Sequence, residues 1–544
     1  MERTTAQADR VDMVIVGAGF GGMYATWKFR EQGMSVVSIE EGGDVGGVWY
    51  WNRYPGARCD LLAVDYSYGF SEAVQQEWTW SEQFAAQPEI LAYANFVADR
   101  LNLRQHYRFN TRVFSAKWHD ARQLWVVRTD DGKVIEARFC VMATGPLSKP
   151  TDPDIPGLAR FSGQVLRAAR WPHQPVDLTG KRIGVVGTGS SGMQIIQTLG
   201  RTDCELYVFQ RTPSFTLPMR NRAHSAEYTA ELKRNYAAIR EACKLNPTGG
   251  ARPVSTRPFF SLPPEHRREL MEEAWAHGGH TFLGIFSDLM TNAEANEQVA
   301  EFVRGKIAET VDDKELAEKL KPRGYPIFAR RPCLDTGYYE TYNLPNVHLV
   351  DCLADPIVEI TERGIRNQSG ETELDVLILA TGYDALTGAM LAFEITGREG
   401  RPLAEKWAGG PRSLFGIVME GFPNLFMTTG PNGPAALANI VTISENDVDW
   451  VARIITHMQQ SGQAAVEATL AAEDAWMDQI QRLAGRSLMT KAKTWWVGAN
   501  VKGKPQGMLM FTGGFHKYRE ACEAVAANGY RDLAFQQALA TTAP

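Results

Sequence analysis

The chain has 544 residues, a length that predicts three to four domains. Apolar residues make up 44% and charged residues 22%, a globular composition that excludes a disordered tail, a collagen-like repeat and a small disulfide scaffold. Lysine and arginine (57) nearly balance aspartate and glutamate (63), giving a net charge of −6. Because no basic stripe dominates, we expect no nucleic-acid partner.

The cysteines are widely spaced and form no CxxC motif, which predicts free thiols in a reducing compartment. Neither a zinc site nor a redox dithiol is expected, and no metal site of another kind is predicted. The polar N-terminus lacks the apolar core of a signal peptide, and the apolar stretch at 13–27 is too short and glycine-rich to span a membrane. We therefore expect a cytoplasmic protein without a membrane partner. The seven cysteines are Cys59, Cys140, Cys204, Cys243, Cys333, Cys352 and Cys522.

A first βαβ unit begins with a near-continuous apolar run at 11–16, typical of a buried parallel strand. The turn GAGFGG follows, then a helical pattern and a second strand at 35–40. Gly17 and Gly19 permit a tight turn that approaches a pyrophosphate, and Gly22 lets the helix pack closely. Glu40 ends the second strand, where an acid binds ribose hydroxyls and repels a 2′-phosphate. This unit is predicted to bind FAD or NAD, not NADP.

The pattern returns at 181–210, where KRIGVV leads into the turn GTGSSG, a helix and the strand ELYVFQ. The glycine spacing is repeated by Gly187, Gly189 and Gly192. Arg211 and Thr212 stand where the first unit has its acid, and a guanidinium with a hydroxyl suits a 2′-phosphate. This unit is predicted to bind NADP(H), so that a bound flavin and its hydride donor meet in one chain.

Residues 46–60 read GGVWYWNRYPGARCD and resemble the GGxWxxxxYPGxxxD segment of the Baeyer–Villiger monooxygenases. The motif order matches over nearly the whole chain: first glycine turn, this segment, second glycine turn, then ATG before the return to the first domain. The resemblance implies an enzyme dependent on FAD and NADPH that converts a ketone into an ester or lactone through a flavin peroxide. The expected partners are a ketone and O2, and the expected assembly is a monomer or weak oligomer.

The predicted fold class is α/β, with two Rossmann-like dinucleotide-binding domains and a helical insertion. Charged segments of helical period between 225 and 321 indicate the insertion, and strand-like runs return at 347–351 and 375–382. We place the FAD-binding domain at 1–146 and 384–544, the NADPH-binding domain at 147–219 and 327–383, and the insertion at 220–326.

The resemblance also implies a catalytic pair. Arg331, in GYPIFARR, matches the active-site arginine of the family, and Asp60 matches the acid that orients it. An always-charged guanidinium suits a reactive anion, and a buried arginine needs such a partner. Arg330 falls where the family has a basic residue near the 2′-phosphate of NADP. On the residues alone, the two arginines would equally be solvated in a loop, and Asp60 would equally serve a turn.

Further contacts are implied at the matched motifs. Trp495 resembles a loop tryptophan that folds over NADP and substrate, although packing beside Trp496 is an alternative. Ala436 and Leu437 resemble the border of the substrate pocket and would equally fit plain packing. The remaining expected cofactor contacts are Phe20, Gly47, Val48, Trp49, Tyr50, Arg58, Tyr66, Val113, Thr188, Ser190, Ser191 and Gln194, with Asp60 and Arg331 also counted among them.

One motif departs from the family pattern FxGxxxHxxxWP, because residues 161–172 read FSGQVLRAARWP and place Arg167 at the histidine position. In the family this linker is thought to assist domain movement. The change therefore bears on domain coupling more than on chemistry. Arginine cannot accept a hydrogen bond as neutral histidine can, and we expect Arg167 to supply a fixed donor instead.

Three other classes of protein share parts of this pattern. A flavin monooxygenase that oxidises nitrogen or sulfur shares both glycine turns, but it has less need of Arg331 paired with Asp60, and the 46–60 segment argues against it. A pyridine-nucleotide disulfide reductase needs a CxxC motif, which is absent. A silent NADPH-binding sensor is disfavoured by the intact cofactor and arginine positions, although Arg167 keeps it open. The identity of the ketone is not readable from the sequence.

Overall fold

The structure, a computed structural model, describes residues 8–539. The chain begins with β1 (Asp9–Val16), α1 (Phe20–Glu31), β2 (Val36–Ile39), α2 (Val48–Trp51), α3 (Glu72–Glu77), α4 (Gln87–Arg100), β3 (Tyr107–Arg108), β4 (Val113–His119), β5 (Leu124–Thr129) and β6 (Val134–Met142). It continues with β7 (Gln164–Arg167), β8 (Lys181–Val186), α5 (Ser190–Leu199), β9 (Cys204–Gln210) and β10 (Thr216–Pro218).

A helical stretch follows, with α6 (Ala226–Leu245), α7 (Pro264–His277), α8 (Ala293–Thr310) and α9 (Lys314–Leu320). Strands then return as β11 (Cys333–Asp335), α10 (Tyr338–Thr341), β12 (Val347–Asp351), β13 (Ile357–Ile360), β14 (Gly364–Asn367), β15 (Glu371–Glu373) and β16 (Val376–Leu379). The last part holds β17 (Glu394–Thr396), α11 (Leu403–Lys406), β18 (Leu425–Met427), α12 (Ile440–Ser461), β19 (Gln463–Ala468), α13 (Leu470–Gly485), α14 (Phe515–Ala527) and β20 (Leu533–Gln537).

The first large sheet has the order β17-β4-β5-β6-β1-β2-β3, with β18 beside β6. Strand β1 lies parallel to both β6 and β2. Met13 and Ile15 face a core shared with α1, α4 and α12, whereas Val14 faces a second core on the opposite side. Because both faces are covered there, β1 is apolar from Met13 to Val16, and the strand predicted at 11–16 is confirmed.

The second large sheet has the order β12-β9-β8-β16-β7, and all its neighbouring strands are parallel. Ile183 and Val185 of β8 pack with α5, while Leu377 and Leu379 of β16 pack in a core on the other face. The sheet draws strands from both sides of the helical stretch. It confirms the predicted second βαβ unit and the return of strands after the insertion.

The helical stretch predicted between 225 and 321 is found as α6, α7, α8 and α9. Its own core joins Val299 and Val303 of α8 to Phe215 and Leu217 near β10. Helix α6 also reaches the first sheet's domain, where Arg240 donates to the backbone oxygen of Val64 (2.7 Å). Within residues 8–539, no helix is both long and apolar enough to cross a membrane.

Two crossings connect the large sheets, and each begins with an Ala-Thr-Gly triplet directly after a strand (143–145 after β6 and 380–382 after β16). The crossings pair with each other. The Thr151 N–H donates to the Gly382 oxygen (3.0 Å), and the Thr381 hydroxyl donates to the Thr151 oxygen (2.6 Å). Both passages of the chain between the sheets therefore run through one short antiparallel ribbon.

The close packing of the first glycine turn can be tested at Gly22, because a Cβ there would overlap the backbone oxygen of Gly17. We expect Gly22→Ala to lower the free energy of unfolding by about 1–3 kcal/mol, since a fixed carbonyl cannot give way. The matched control is Gly305→Ala in α8, where a Cβ meets no atom within 4 Å. It should be neutral or stabilising by up to about 1 kcal/mol. Equal denaturation midpoints for the two variants would contradict the packing argument.

Candidate active site

The first glycine turn joins β1 to α1. A Cβ at Gly17 would overlap the backbone oxygen that follows β6, so the close approach requires glycine. No side chain caps α1 at Gly19, which leaves N–H groups at the helix start available to an anion. The buried Glu40 carboxylate accepts N–H bonds from Ala18 (2.7 Å) and Gly42 (2.7 Å). Burial raises the pKa of Glu40, against the opposing effect of these two donors.

The segment 46–60 connects the two nucleotide units. A Cβ at Gly47 would lie 2.7 Å from the Cα of Gly19, so the segment rests directly on the first turn. Further along, the Tyr54 hydroxyl donates to the Gln194 side chain of α5 (2.9 Å). The motif that carries the family resemblance therefore spans from one glycine turn to the helix after the other.

Aromatic residues predicted to contact FAD gather beside the first turn. The Trp49 ring N–H donates to the Tyr66 hydroxyl (3.0 Å), and the Phe20 ring meets the Tyr66 ring edge-on at 5.5 Å. The Tyr50 hydroxyl accepts a backbone N–H from the loop after β2 (3.0 Å). Val113 is buried at the start of β4. Helix α2 carries Val48, Trp49 and Tyr50.

The second glycine turn repeats the geometry of the first. A Cβ at Gly187 would overlap the Ala380 oxygen, one at Gly192 would overlap the Gly187 oxygen, and no side chain caps α5 at Gly189. The Thr188 hydroxyl donates to the backbone oxygen of Thr212 (3.1 Å), which ties this turn to the end of β9. Ser190 and Ser191 are the first residues of α5.

Two cations near this turn have unused donors. Arg211 is exposed and makes no ion pair with any residue in the described range 8–539. Arg330 lies over the Tyr325 ring at 4.4 Å, and its buried Nε has no hydrogen-bond partner among those residues. Unused guanidinium donors of this kind suit a phosphate ligand.

Arg331 and Asp60 form a two-pronged ion pair. The Arg331 Nε donates to one carboxylate oxygen of Asp60 (3.0 Å), and an Nη donates to the other. The Asp60 carboxylate raises the pKa of the guanidinium, against the effect of burial. Burial alone would raise the pKa of Asp60, but Arg331 holds it below its usual value. Both groups are therefore charged at neutral pH, and the side chain of Arg331 is 33% exposed with further N–H groups unused.

His280, in the turn after α7, was not found from the sequence because no motif surrounds it. Its charged form helps to lower the pKa of Asp60, after the larger effect of Arg331. Burial lowers the pKa of His280 itself, and Asp60 opposes that change. The nearby thiols are neutral, because burial raises the pKa of Cys59 to about 12 and that of Cys333 to about 11. All seven cysteines are free and buried.

Trp495, Ala436 and Leu437 lie in one hydrophobic cluster, where each is partly buried. The structure thus brings together the three residues predicted to border the substrate. Trp496 fills the buried centre of the same cluster and meets the Trp495 ring edge-on at 5.9 Å. The segment after it is fastened by Lys504, whose Nζ lies 2.6 Å from the Asp384 carboxylate.

A cleft of about 200 Å³ opens at the carboxyl ends of β6 and β18, and the loop after β18 forms one wall. Thr429 in this wall has a φ of +53°, a left-handed conformation that is costly for a β-branched residue. The buried Asp447 carboxylate accepts its N–H (2.9 Å) and the Tyr518 hydroxyl (2.6 Å). Burial raises the pKa of Asp447 to about 7. Sequence reasoning missed this acid because α12 shows only a helical pattern there.

Two residues singled out in the sequence pair with acids outside the glycine turns. Arg58 pairs with Glu82 and with the backbone oxygen of Phe84, although its own carbonyl accepts a bond from the Gln194 side chain (3.0 Å). Arg167 donates through Nε (2.7 Å) and an Nη (3.2 Å) to the Asp152 carboxylate. The fixed donor expected at this position is therefore directed at the first crossing between the sheets.

Two uncapped glycine turns, each at the carboxyl end of a parallel strand, and a fixed guanidinium define a two-nucleotide oxidoreductase. A family model for pyridine nucleotide-disulphide oxidoreductases matches residues 11–245. The chain is 39% identical over 536 residues to a Baeyer–Villiger monooxygenase of Pseudooceanicola batsensis, covering 98% of this chain and 97% of that protein. The chain belongs to the Baeyer–Villiger monooxygenase family.

Other relatives match over a similarly large share of both chains. A 2-oxo-Δ3-4,5,5-trimethylcyclopentenylacetyl-CoA monooxygenase of Pseudomonas putida is 40% identical, with 96% of this chain and 98% of that protein covered. A phenazine N-monooxygenase of Lysobacter antibioticus is 37% identical, with 95% and 96% covered. The solved structure of an oxidised steroid monooxygenase bound to NADP superposes with a TM-score of 0.93 at 45% identity, covering 97% of this chain and all of that one.

Asp447 gives a test by pH. Its pKa of about 7 lies above the ordinary value of 3.8, so its contribution to stability falls as pH rises from about 4 to about 7. We expect the wild type to lose more unfolding free energy than Asp447→Asn between pH 5 and pH 7, by up to about 2.7 kcal/mol. Denaturation at each pH measures this. Asp449→Asn, on the exposed side of α12, is the control, and parallel profiles for wild type and Asp447→Asn would contradict the assignment.

Proposed function

We propose that this protein is an FAD-dependent, NADPH-consuming monooxygenase that inserts one atom of O2 beside a ketone carbonyl and yields an ester or lactone. The observation that carries the proposal is the two-pronged pair of Arg331 with Asp60, placed by the segment that links two nucleotide turns. Family membership supports the same reaction. The free, buried thiols support a reducing location such as the cytoplasm.

The first unit fits FAD. Its turn packs against the end of β6 only because Gly17 and Gly22 carry no Cβ, and the start of α1 offers free N–H groups to a pyrophosphate. Glu40 stands at the turn as an acceptor for ribose hydroxyls. The cleft beside the loop after β18 lies at the same carboxyl edge of the sheet, where such folds hold their ligands.

The second unit fits NADPH. The uncapped start of α5 offers N–H groups to the pyrophosphate, and Arg211 and Arg330 carry unused donors for the 2′-phosphate. Thr212 borders the same turn through its backbone oxygen. When both cofactors are bound, FAD supplies the redox chemistry, taking hydride from NADPH and delivering an oxygen atom from O2.

Arg331 stabilises the negative charge that develops during oxygen insertion. Asp60 fixes the guanidinium through two hydrogen bonds and leaves its other N–H groups free. Such preorganised donors stabilise charge that develops on the attacked carbonyl oxygen without having to reorient. Because Asp60 raises the pKa of Arg331, the cation persists throughout the reaction. Asp60 is thus a positioning residue, and Arg331 is the catalytic one.

Water must be excluded from this site, because a reactive oxygen species would otherwise be lost to solvent. Trp495, Ala436 and Leu437 form an apolar wall within one cluster. The buried anchor of Lys504 on Asp384 fastens the end of the segment that carries Trp495. Apolar walls of this kind also fit the hydrocarbon part of a ketone.

A second candidate is oxygen transfer to nitrogen or sulfur, which the N-oxidising relative keeps in view. Such a reaction uses an electrophilic oxygen donor and develops no negative charge on a carbonyl oxygen. The fixed cation at Arg331 would then have less to do. The ion pair therefore favours the ketone reaction over this alternative.

The proposed function is tested by supplying the protein with FAD, NADPH and ¹⁸O2 and a panel of linear, cyclic and aromatic ketones. We expect NADPH oxidation to accelerate with ketone, and mass spectrometry to find an ester or lactone that carries one ¹⁸O atom. Sulfides and amines form a parallel panel. Efficient oxidation of these compounds, with no ester from any ketone, would show that the N- or S-oxidising function is the right one.

Arg331→Lys keeps the charge but loses the planar fork that Asp60 holds. We expect the rate of ester formation to fall at least about a hundredfold, the scale for losing a preorganised donor, with bound FAD unchanged. Arg323→Lys is the matched control, because Arg323 is 60% exposed on the same stretch and pairs with Glu318. Ester formation at the wild-type rate in Arg331→Lys would remove Arg331 from the mechanism.

A further inference from the structure

The stretch 479–519 contains no aspartate or glutamate, yet it holds eight lysines and arginines in a chain of net charge −6. It comprises the end of α13, the segment with Trp495, and the start of α14. Such an imbalance makes a local positive field even though the whole chain is acidic. The eight are Arg482, Arg486, Lys491, Lys493, Lys502, Lys504, Lys517 and Arg519.

Four of these cations are close together in the sequence and make no ion pair within residues 8–539. Lys504 forms a partly buried pair with Asp384, and Lys502 has only a fully exposed contact with Asp154. Arg482, Arg486, Lys491 and Lys493 are exposed, and none of them lies within 4.0 Å of a carboxylate belonging to residues 8–539. They lie between residues 482 and 493, a stretch that starts in the last turn of α13 and leads to Trp495. We name these four residues the lid cations.

Two of the lid cations stand next to clusters that border the candidate active site. Lys491 and Lys493 stand on either side of Ala492, which is 2% exposed and belongs to the same hydrophobic cluster as Phe328 and Ala329, just before Arg331. Adjacent Cα atoms are about 3.8 Å apart, so the side chains of both lysines begin close to this cluster. Met489 and Trp495 belong to the cluster that holds Ala436 and Leu437. The two lysines therefore project from a backbone segment that packs both in the cluster of Phe328 and Ala329 and in the cluster of Ala436 and Leu437.

Leu488 fixes the other end of this stretch, because its N–H donates to the backbone oxygen of Met290 in the helical stretch (2.8 Å). The lid cations are thus carried by an anchored backbone and are not spread along a free loop. Charges on an anchored rim raise the local concentration of an oppositely charged substrate and lose this effect at high salt.

We propose that the lid cations select ketones that carry a negatively charged group, such as a carboxylate, remote from the carbonyl. This inference rests on the proposed function. The apolar walls take the ring or chain around the carbonyl, and Lys491 and Lys493 meet the anion at the mouth. The phosphates of NADPH are the competing anions, but the start of α5, Arg211 and Arg330 already supply their donors. The lid cations therefore remain available to bind the substrate.

The test compares 3-oxocyclopentaneacetate with its neutral methyl ester in the wild type and in Lys491→Gln/Lys493→Gln. We expect kcat/KM for the acid to fall about threefold to tenfold, the range for losing two exposed ion pairs, and kcat/KM for the ester to stay unchanged. KM for NADPH should also stay unchanged. Raising the ionic strength to about 0.3 M should reproduce the loss for the acid in the wild type.

The control is Lys133→Gln/Lys181→Gln, which makes the same charge change on a hairpin and at the amino end of β8, away from the glycine turns. It should leave the acid-to-ester ratio at the wild-type value. An unchanged ratio in Lys491→Gln/Lys493→Gln would overturn the inference. A raised KM for NADPH without a change in that ratio would overturn it too, because the lysines would then serve the cofactor.

Binding without turnover separates this inference from the proposed function. Cyclopentylacetate has no carbonyl to oxidise, so calorimetry on the oxidised protein with NADP⁺ measures anion recognition alone. Its Kd should rise about threefold to tenfold in Lys491→Gln/Lys493→Gln and stay constant in the control. If neither ketone is oxidised, the proposed function has failed for these compounds, and this comparison still decides whether the lid cations bind an anion.

Discussion

The ion pair between Arg331 and Asp60 joins residues 271 positions apart, and the arrangement of the site depends on it. An arginine partly withdrawn from water needs a fixed acid, since an unpaired charge there would be costly. Asp60 is the last residue of a segment that first rests on Gly19 and then runs along α5. The acid is therefore placed by both nucleotide turns at once, and the cation follows the acid.

The same dependence explains the small residues in that segment. At Gly56, with a φ of +79°, a Cβ would overlap the Thr198 side chain of α5, so the segment reaches the helix only with glycine there. Tyr54 adds a hydrogen bond to Gln194 on the same helix. The family motif at 46–60 thus combines two requirements. Its small residues set the spacing between the two units, and its last residue supplies a negative charge.

Much of the fold was predictable, because the strands β1, β8, β9 and β12 are apolar runs that end in recognisable turns. Within the site, Glu40, the glycine turns and the Arg331–Asp60 pair lie where the motifs placed them. Asp447 and His280 were not predictable, because their importance comes from what tertiary packing brings against them. Arg58 shows the converse, since a residue inside a strong motif turned to Glu82, a partner the motif does not contain.

The paired crossings between the two sheets restrict how the units can move. Thr151 and Thr381 lie on different passages of the chain, yet they are hydrogen-bonded to each other, so neither passage can bend alone. A swivel of one unit against the other is confined to the torsions of this ribbon, where Gly382, with a φ of +83°, is the most permissive residue. Arg167 pairs with Asp152 at the edge of the ribbon. The arginine at the histidine position of the family pattern thus contacts the connection between the two units, whereas Arg331 and Asp60 pair with each other.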